Sequence, residues 1–118
     1  MTGNELLTRA MALYAETDTS DEDARKLAVP YINMLQAECF LVNNRIRKYL
    51  GKDEHTEIKE ITNLDETIDA EDSLLKLAYP YGLAAKLYFD EMDNARLSMF
   101  NEEYASRVNT CDKGVVVF

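Results

Sequence analysis

The chain has 118 residues, of which 47% are apolar and 30% charged, with only four glycines and two prolines. This excludes a disordered or fibrous chain and fits one folded domain, residues 1–118, with a core of its own. Its 22 acids against 13 bases give a net charge of −9, the wrong sign for adhesion to nucleic-acid phosphates or anionic lipid headgroups.

Helical spacing dominates the first 109 residues. Thr2 and Glu5 have the spacing of a capping box, and the apolar repeat from Leu6 to Tyr14 predicts a first helix over about Gly3 to Ala15. Met1 to Ala10 mixes acid and base without a continuous apolar run, so neither a signal peptide nor a membrane span is expected. Ser20, followed by Asp21, Glu22 and Asp23, reads as the N-cap of a long second helix that runs to Leu50 and stops at Gly51. Arg45, Arg47 and Lys48 fall in its last turns, where cations complement the helix dipole. Between Lys52 and Asp72 the character changes to nine acids against two lysines, and Ile58, Ile61 and Leu64 give no helical period. A long connection or a short strand is expected there.

The helical pattern returns near Glu71. Leu74, Leu77, Ala78, Tyr81, Ala84, Ala85, Tyr88 and Met92 form one stripe, widened by Leu83 and Leu87. Such a helix is buried on more than one side, in a bundle centre or against a neighbouring subunit. A break over Asp90 to Asn94 precedes a last helix through Leu97, Phe100, Tyr104 and Val108. A turn at Asp112, Lys113 and Gly114 then leads to Val115, Val116, Val117 and Phe118, so residues 110–118 read as an extended C-terminal tail. The segments Lys26 to Tyr31 and Lys76 to Tyr81 match in five of six positions, and each carries a proline that should bend its helix. Duplication and coincidence are both open readings of that echo. The fold class expected is all-α: a bundle of four to five helices with proline-kinked long helices, an acidic loop and a short tail.

Catalytic chemistry has little to stand on. His55 is the one histidine and lies among Asp53, Glu54 and Glu57, where a solvated acidic loop is the simpler reading than a metal or acid–base site. Cys39 and Cys111 are too few for a disulfide framework and lack metal-ligand spacing, and no glycine-rich phosphate loop is present. Neither enzyme activity nor any cofactor or metal is expected. The basic residues around Tyr49 could touch a phosphate backbone, but their place at a helix end explains them structurally. The apolar C-terminal end either packs as an irregular tail or adds a strand to a sheet in a partner.

Pro80, Tyr81, Gly82, Leu83, Ala84, Ala85 and Leu87, followed by Asp93, Ala95, Phe100 and Tyr104, resemble the C-terminal half of the small head–tail connector proteins of tailed bacteriophages and prophages. The preceding order of helices and the acidic loop are also similar, so the resemblance extends over most of the chain. It implies a structural subunit of a ring under the portal protein, with neighbouring copies at its sides and a tail-side connector or stopper protein beyond. DNA would pass through without specific binding, away from any membrane. The implied locations are the host bacterial cytoplasm during assembly and then the virion neck. Asp53, Glu54, Glu57, Glu60, Asp65, Glu66 and Asp69 become candidates for an acidic channel wall, and Val115 to Phe118 for portal docking. The alternative is an acidic regulatory or DNA-mimic protein that occupies a basic surface of its partner. A small enzyme using His55 is a third reading.

Overall fold

A computed structural model of the chain describes residues 1–113. Five α-helices carry nearly all their regular structure: α1 (Gly3–Leu13), α2 (Glu22–Glu38), α3 (Phe40–Tyr49), α4 (Tyr79–Leu87) and α5 (Asn94–Asp112). A π-helical turn, Leu74–Ala78, runs directly into α4. The described residues are thus all-α and contain no strand; a lone antiparallel bridge joins Thr2 to Thr67. None of these helices is long and apolar enough to cross a membrane.

Local chemistry accounts for the helix ends. The Glu5 N–H donates to Thr2 Oγ1 at 3.2 Å while the Thr2 N–H donates to Glu5 Oε1 at 3.3 Å, completing the expected capping box. Helix α1 stops at Leu13 rather than Ala15, because Ala15 takes a left-handed φ of 60°. The N-cap of α2 is Asp21, not Ser20: Asp21 Oδ1 accepts the N–H groups of Asp23 and Ala24 at 3.0 and 3.3 Å, whereas Ser20 turns to Asp18. Gly51, at φ 74°, ends α3 as expected. Residues 110–112, expected in the C-terminal tail, belong to α5 instead. Cys111 is buried there, and Asp112 pairs with Arg45 Nε at 2.6 Å. Val115, Val116, Val117 and Phe118 lie outside the described residues.

The two prolines behave differently. Pro30 sits inside α2 on its exposed face, where water can reach the Lys26 carbonyl that proline leaves without a donor. The expected long helix breaks instead at Cys39, nine positions on, where α2 gives way to α3. Pro80 is buried, and the preceding turn is widened so that the Tyr79 N–H reaches Leu74 O, five residues back. Widening relieves the clash that a proline ring makes with the carbonyl four positions earlier. The sequence echo around the prolines therefore has no conformational counterpart.

Helix α4 is the centre of the bundle. It packs on α1, α2 and α5, and Tyr79, Pro80, Gly82, Leu83, Ala84 and Ala85 are all buried. The width of the 74–92 stripe is consumed inside one chain, so it leaves no broad face there for neighbouring copies. Gly82 sets the spacing: a Cβ at this position would stand 2.7 Å from Leu35 Cδ2 and 2.9 Å from the Tyr104 ring. The glycine lets α2 and α5 close on α4 from two sides. Tyr81 meets Phe100 with ring centroids 5.9 Å apart, and the Arg107 guanidinium lies 4.4 Å above the Tyr81 ring. Tyr14 stacks on Tyr88 at 4.2 Å and ties the end of α1 to the end of α4.

Gly82→Ala should therefore destabilise the protein. Alanine gains about 1 kcal/mol of helix propensity over glycine, but overpacking a filled core costs about 1–3 kcal/mol and more for larger side chains. Thermal denaturation should show a lower Tm for Gly82→Ala and a still lower one for Gly82→Val. An unchanged or raised Tm for both would contradict the close-packing role.

Candidate functional site: a clamped acidic segment

The segment from Lys52 to Glu71 has no helix or strand of its own, so its backbone groups need partners from elsewhere. Asparagines supply them. Asn33 on α2 accepts the Ile61 N–H and donates to the Ile61 carbonyl, both at 2.9 Å. Asn44 on α3 does the same for His55, accepting at 2.7 Å and donating at 3.0 Å. Asn43 accepts the Glu71 N–H at 2.8 Å. A side-chain amide offers a donor and an acceptor side by side, so Asn33 and Asn44 each replace one residue of a pairing strand. Both Asn43 and Asn44 are buried.

Charge and apolar burial complete the clamp. Glu71 is buried and binds two cations, with Arg47 Nη1 and Lys52 Nζ each 2.9 Å from one of its oxygens. Arg47 Nε also donates to the Asp53 carbonyl at 2.6 Å. Ile61, Leu64 and Ile68 enter the core. The start of the chain sews the far end down: Asn4 N–H donates to Leu64 O at 2.9 Å, and Ile68 N–H to Met1 O at 2.9 Å.

This arrangement divides the candidate wall acids. Asp53, Glu54, Glu57 and Glu60 stay exposed, with Glu54 only 3.9 Å from the exposed Lys48 amine. The other three carboxylates are engaged by neighbouring groups. Glu66 accepts the Asn63 N–H at 2.8 Å as well as the N–H and hydroxyl of Thr62, and these bonds hold its carboxyl below the usual range. Asp65 accepts from Asn4 Nδ2 at 2.7 Å. Asp69 Oδ2 faces both His55 Nε2 at 3.6 Å and Lys59 Nζ at 3.5 Å. Asp53, Glu54, Glu57 and Glu60 are thus exposed; Asp65 is exposed too but accepts from Asn4, and the half-buried Glu66 and Asp69 are engaged with neighbouring groups.

The residues of the C-terminal motif have structural work. Pro80, Tyr81, Gly82, Ala84, Ala85 and Leu87 build α4, and Phe100 and Tyr104 approach it from α5. Tyr104 donates to Glu38 Oε1 at 2.9 Å, Lys86 donates to Glu38 Oε2 at 2.9 Å, and Cys39 Sγ lies 3.2 Å from the Tyr104 hydroxyl. Burial pushes the Cys39 thiol up to about 11 despite that contact, so it stays protonated near neutral pH. Arg45 and Arg47 are occupied by Asp112 and Glu71 rather than presented as a phosphate-binding pair.

Sequence reasoning missed Asn33, Asn43, Asn44 and Glu71. The signal available was positional: Asn33 adjoins the buried Ile32, and Asn43 and Asn44 precede the buried Ile46. No family model, curated protein or solved structure matches the chain.

Replacing Asn33 or Asn44 by alanine strips two backbone groups of their partners, and leaving such groups unsatisfied costs about 1–3 kcal/mol. Denaturant midpoints should fall for each variant, while an exposed-acid variant such as Glu60→Gln should stay near wild type; equal midpoints for all three would contradict the clamp. The Arg45 hydrogen bond also lowers the Asp112 carboxyl. A carboxyl whose folded value lies below its unfolded one adds stability above the unfolded value, and loses it as pH falls through the folded one. The end of α5 should therefore loosen on acidification, by a small amount because Arg45 is half exposed. NMR shifts of Cys111 and Asp112 should report it, and Asp112→Asn should remove that pH dependence.

Proposed function

We propose that the protein is a structural, non-catalytic subunit of a phage or prophage head–tail connector ring, in which the exposed part of the acidic segment faces the DNA passage. The observation that carries this reading is the clamp: Asp53, Glu54, Glu57 and Glu60 are displayed on a backbone fixed by Asn44 at one end and Asn33 at the other. A negative wall of fixed shape repels phosphates and lets a duplex slide, whereas cations would hold it. The resemblance of the α4–α5 residues to that family supports the same reading, and their packing around Gly82 gives the motif a physical purpose. Partners on this reading are the portal protein, a stopper or tail-side connector, and copies of the chain itself. Its setting is the host bacterial cytoplasm and then the virion neck.

The acidic regulatory or DNA-mimic reading draws on the same clamp, because a mimic also needs carboxylates on a rigid face. Ring formation separates the two. Native mass spectrometry and negative-stain microscopy of the full chain, taken up to millimolar concentration, should show closed annular particles. A chain that remains monomeric over the whole series, yet binds a basic DNA-binding protein, contradicts the connector reading and favours the mimic.

A further inference from the structure

Beside the last turns of α5, an open groove of about 400 Å³ separates that helix from the junction of α2 and α3. Tyr104, Ala105 and Val108 line it from α5, and Cys39 lines it from the junction. Its two acids already have partners. Lys86 Nζ and the Tyr104 hydroxyl each lie 2.9 Å from a Glu38 oxygen, and Arg45 Nε lies 2.6 Å from Asp112 Oδ1. What the groove offers an occupant is therefore apolar contact, together with one amide: the exposed side chain of Asn109.

The chain itself supplies an occupant at the right place. Asp112 lines the groove and Lys113, the last of the described residues, adjoins it; the sequence then continues Gly114, Val115, Val116, Val117, Phe118. Lys113 is the C-cap of α5, with its N–H donating to Thr110 O at 3.2 Å. Gly114 therefore falls where helices most often reverse direction through a left-handed glycine. From Lys113 back to Ala105 the helix rises about 12 Å, and four extended residues reach about 13 Å. Reach matches groove length, and none of the four side chains is charged.

We propose that residues 115–118 fold back beside α5 and occupy this groove of their own chain, with the Asn109 amide pairing backbone groups of one of them. An extended segment without a neighbouring strand needs such a partner. Asn33 and Asn44 serve the 52–71 segment in the same way. Apolar side chains laid against Cys39, Ala105 and Val108 leave water, which favours the docked arrangement. The groove then competes with any partner that would take the valines as an added strand. This docking goes beyond the connector reading and does not depend on ring formation.

Nuclear Overhauser spectra of the full chain test the docking directly. The methyls of Val115, Val116 and Val117 or the Phe118 ring should show contacts to the methyls of Ala105 and Val108. A sample mixing labelled and unlabelled chains, filtered for contacts between molecules, should show none of these. Asn109→Ala should speed amide exchange within residues 115–118 about tenfold, as expected for the loss of one such hydrogen-bonded pairing. Amides of α4 should exchange as in wild type, because Asn109 is exposed. The docking is overturned by an absence of these contacts, or by contacts that arise only between molecules. Exchange in residues 115–118 that Asn109→Ala leaves unchanged would overturn it as well.

Discussion

A stretch of about twenty residues without helix or strand must still satisfy its backbone before a bundle can close around it. Here that requirement is met by side-chain amides on the α2–α3 rod. Asn33 and Asn44 each pair both backbone groups of one residue in the segment, and Asn43 and the Arg47–Glu71–Lys52 cluster hold its far end. The rest follows from this arrangement. Ile61, Leu64 and Ile68 can be delivered to the core because the chain between them is fixed, and α1 then docks its first turn on Leu64 and Ile68. An acid-rich sequence that resembles a free loop becomes a surface of defined shape.

The second constraint is the crowding around α4. A helix surrounded by three others needs small residues where the neighbours come closest, and Gly82, Ala84 and Ala85 provide them. Pro80 would disturb a regular helix at a buried position, and the π turn before it absorbs the fault without exposing the backbone. The fold thus consumes its most apolar stripe internally. What remains at the surface is the polar segment, with Asp53, Glu54, Glu57 and Glu60 exposed.

Much of the helical architecture was legible because its signals are local. The Thr2–Glu5 capping box, Gly51 as a helix stop and the break near Asp90 depend on residues within one turn of each other; the first two appear where they were read, and the break spans residues 88–93 with Asn94 already in α5. Two misreadings involve distant partners, whereas Asp21 in place of Ser20 as the α2 cap is a local one. Cys39 interrupts the long helix where its thiol meets Tyr104, 65 residues away, and α5 extends through Asp112 where Arg45 pairs with it. The acids were the hardest to read. Composition alone could not separate Glu57 and Glu60, which stay exposed, from Glu66, which caps a turn, or Glu71, which is buried between two cations. The asparagines carried only a positional signal, beside apolar residues, because their purpose exists only once Ile61, His55 and Glu71 are beside them.

The account stands on the acidic segment being held as firmly as the helices that hold it. Native-state hydrogen exchange, read at the amides of His55, Ile61 and Glu71, tests this most directly. Their N–H groups end on Asn44, Asn33 and Asn43, so their protection should approach that of core amides in α4 and exceed that of Glu57 and Glu60. Exchange at all three as fast as in an unstructured chain would contradict the clamp, and with it the fixed acidic face on which the functional reading depends.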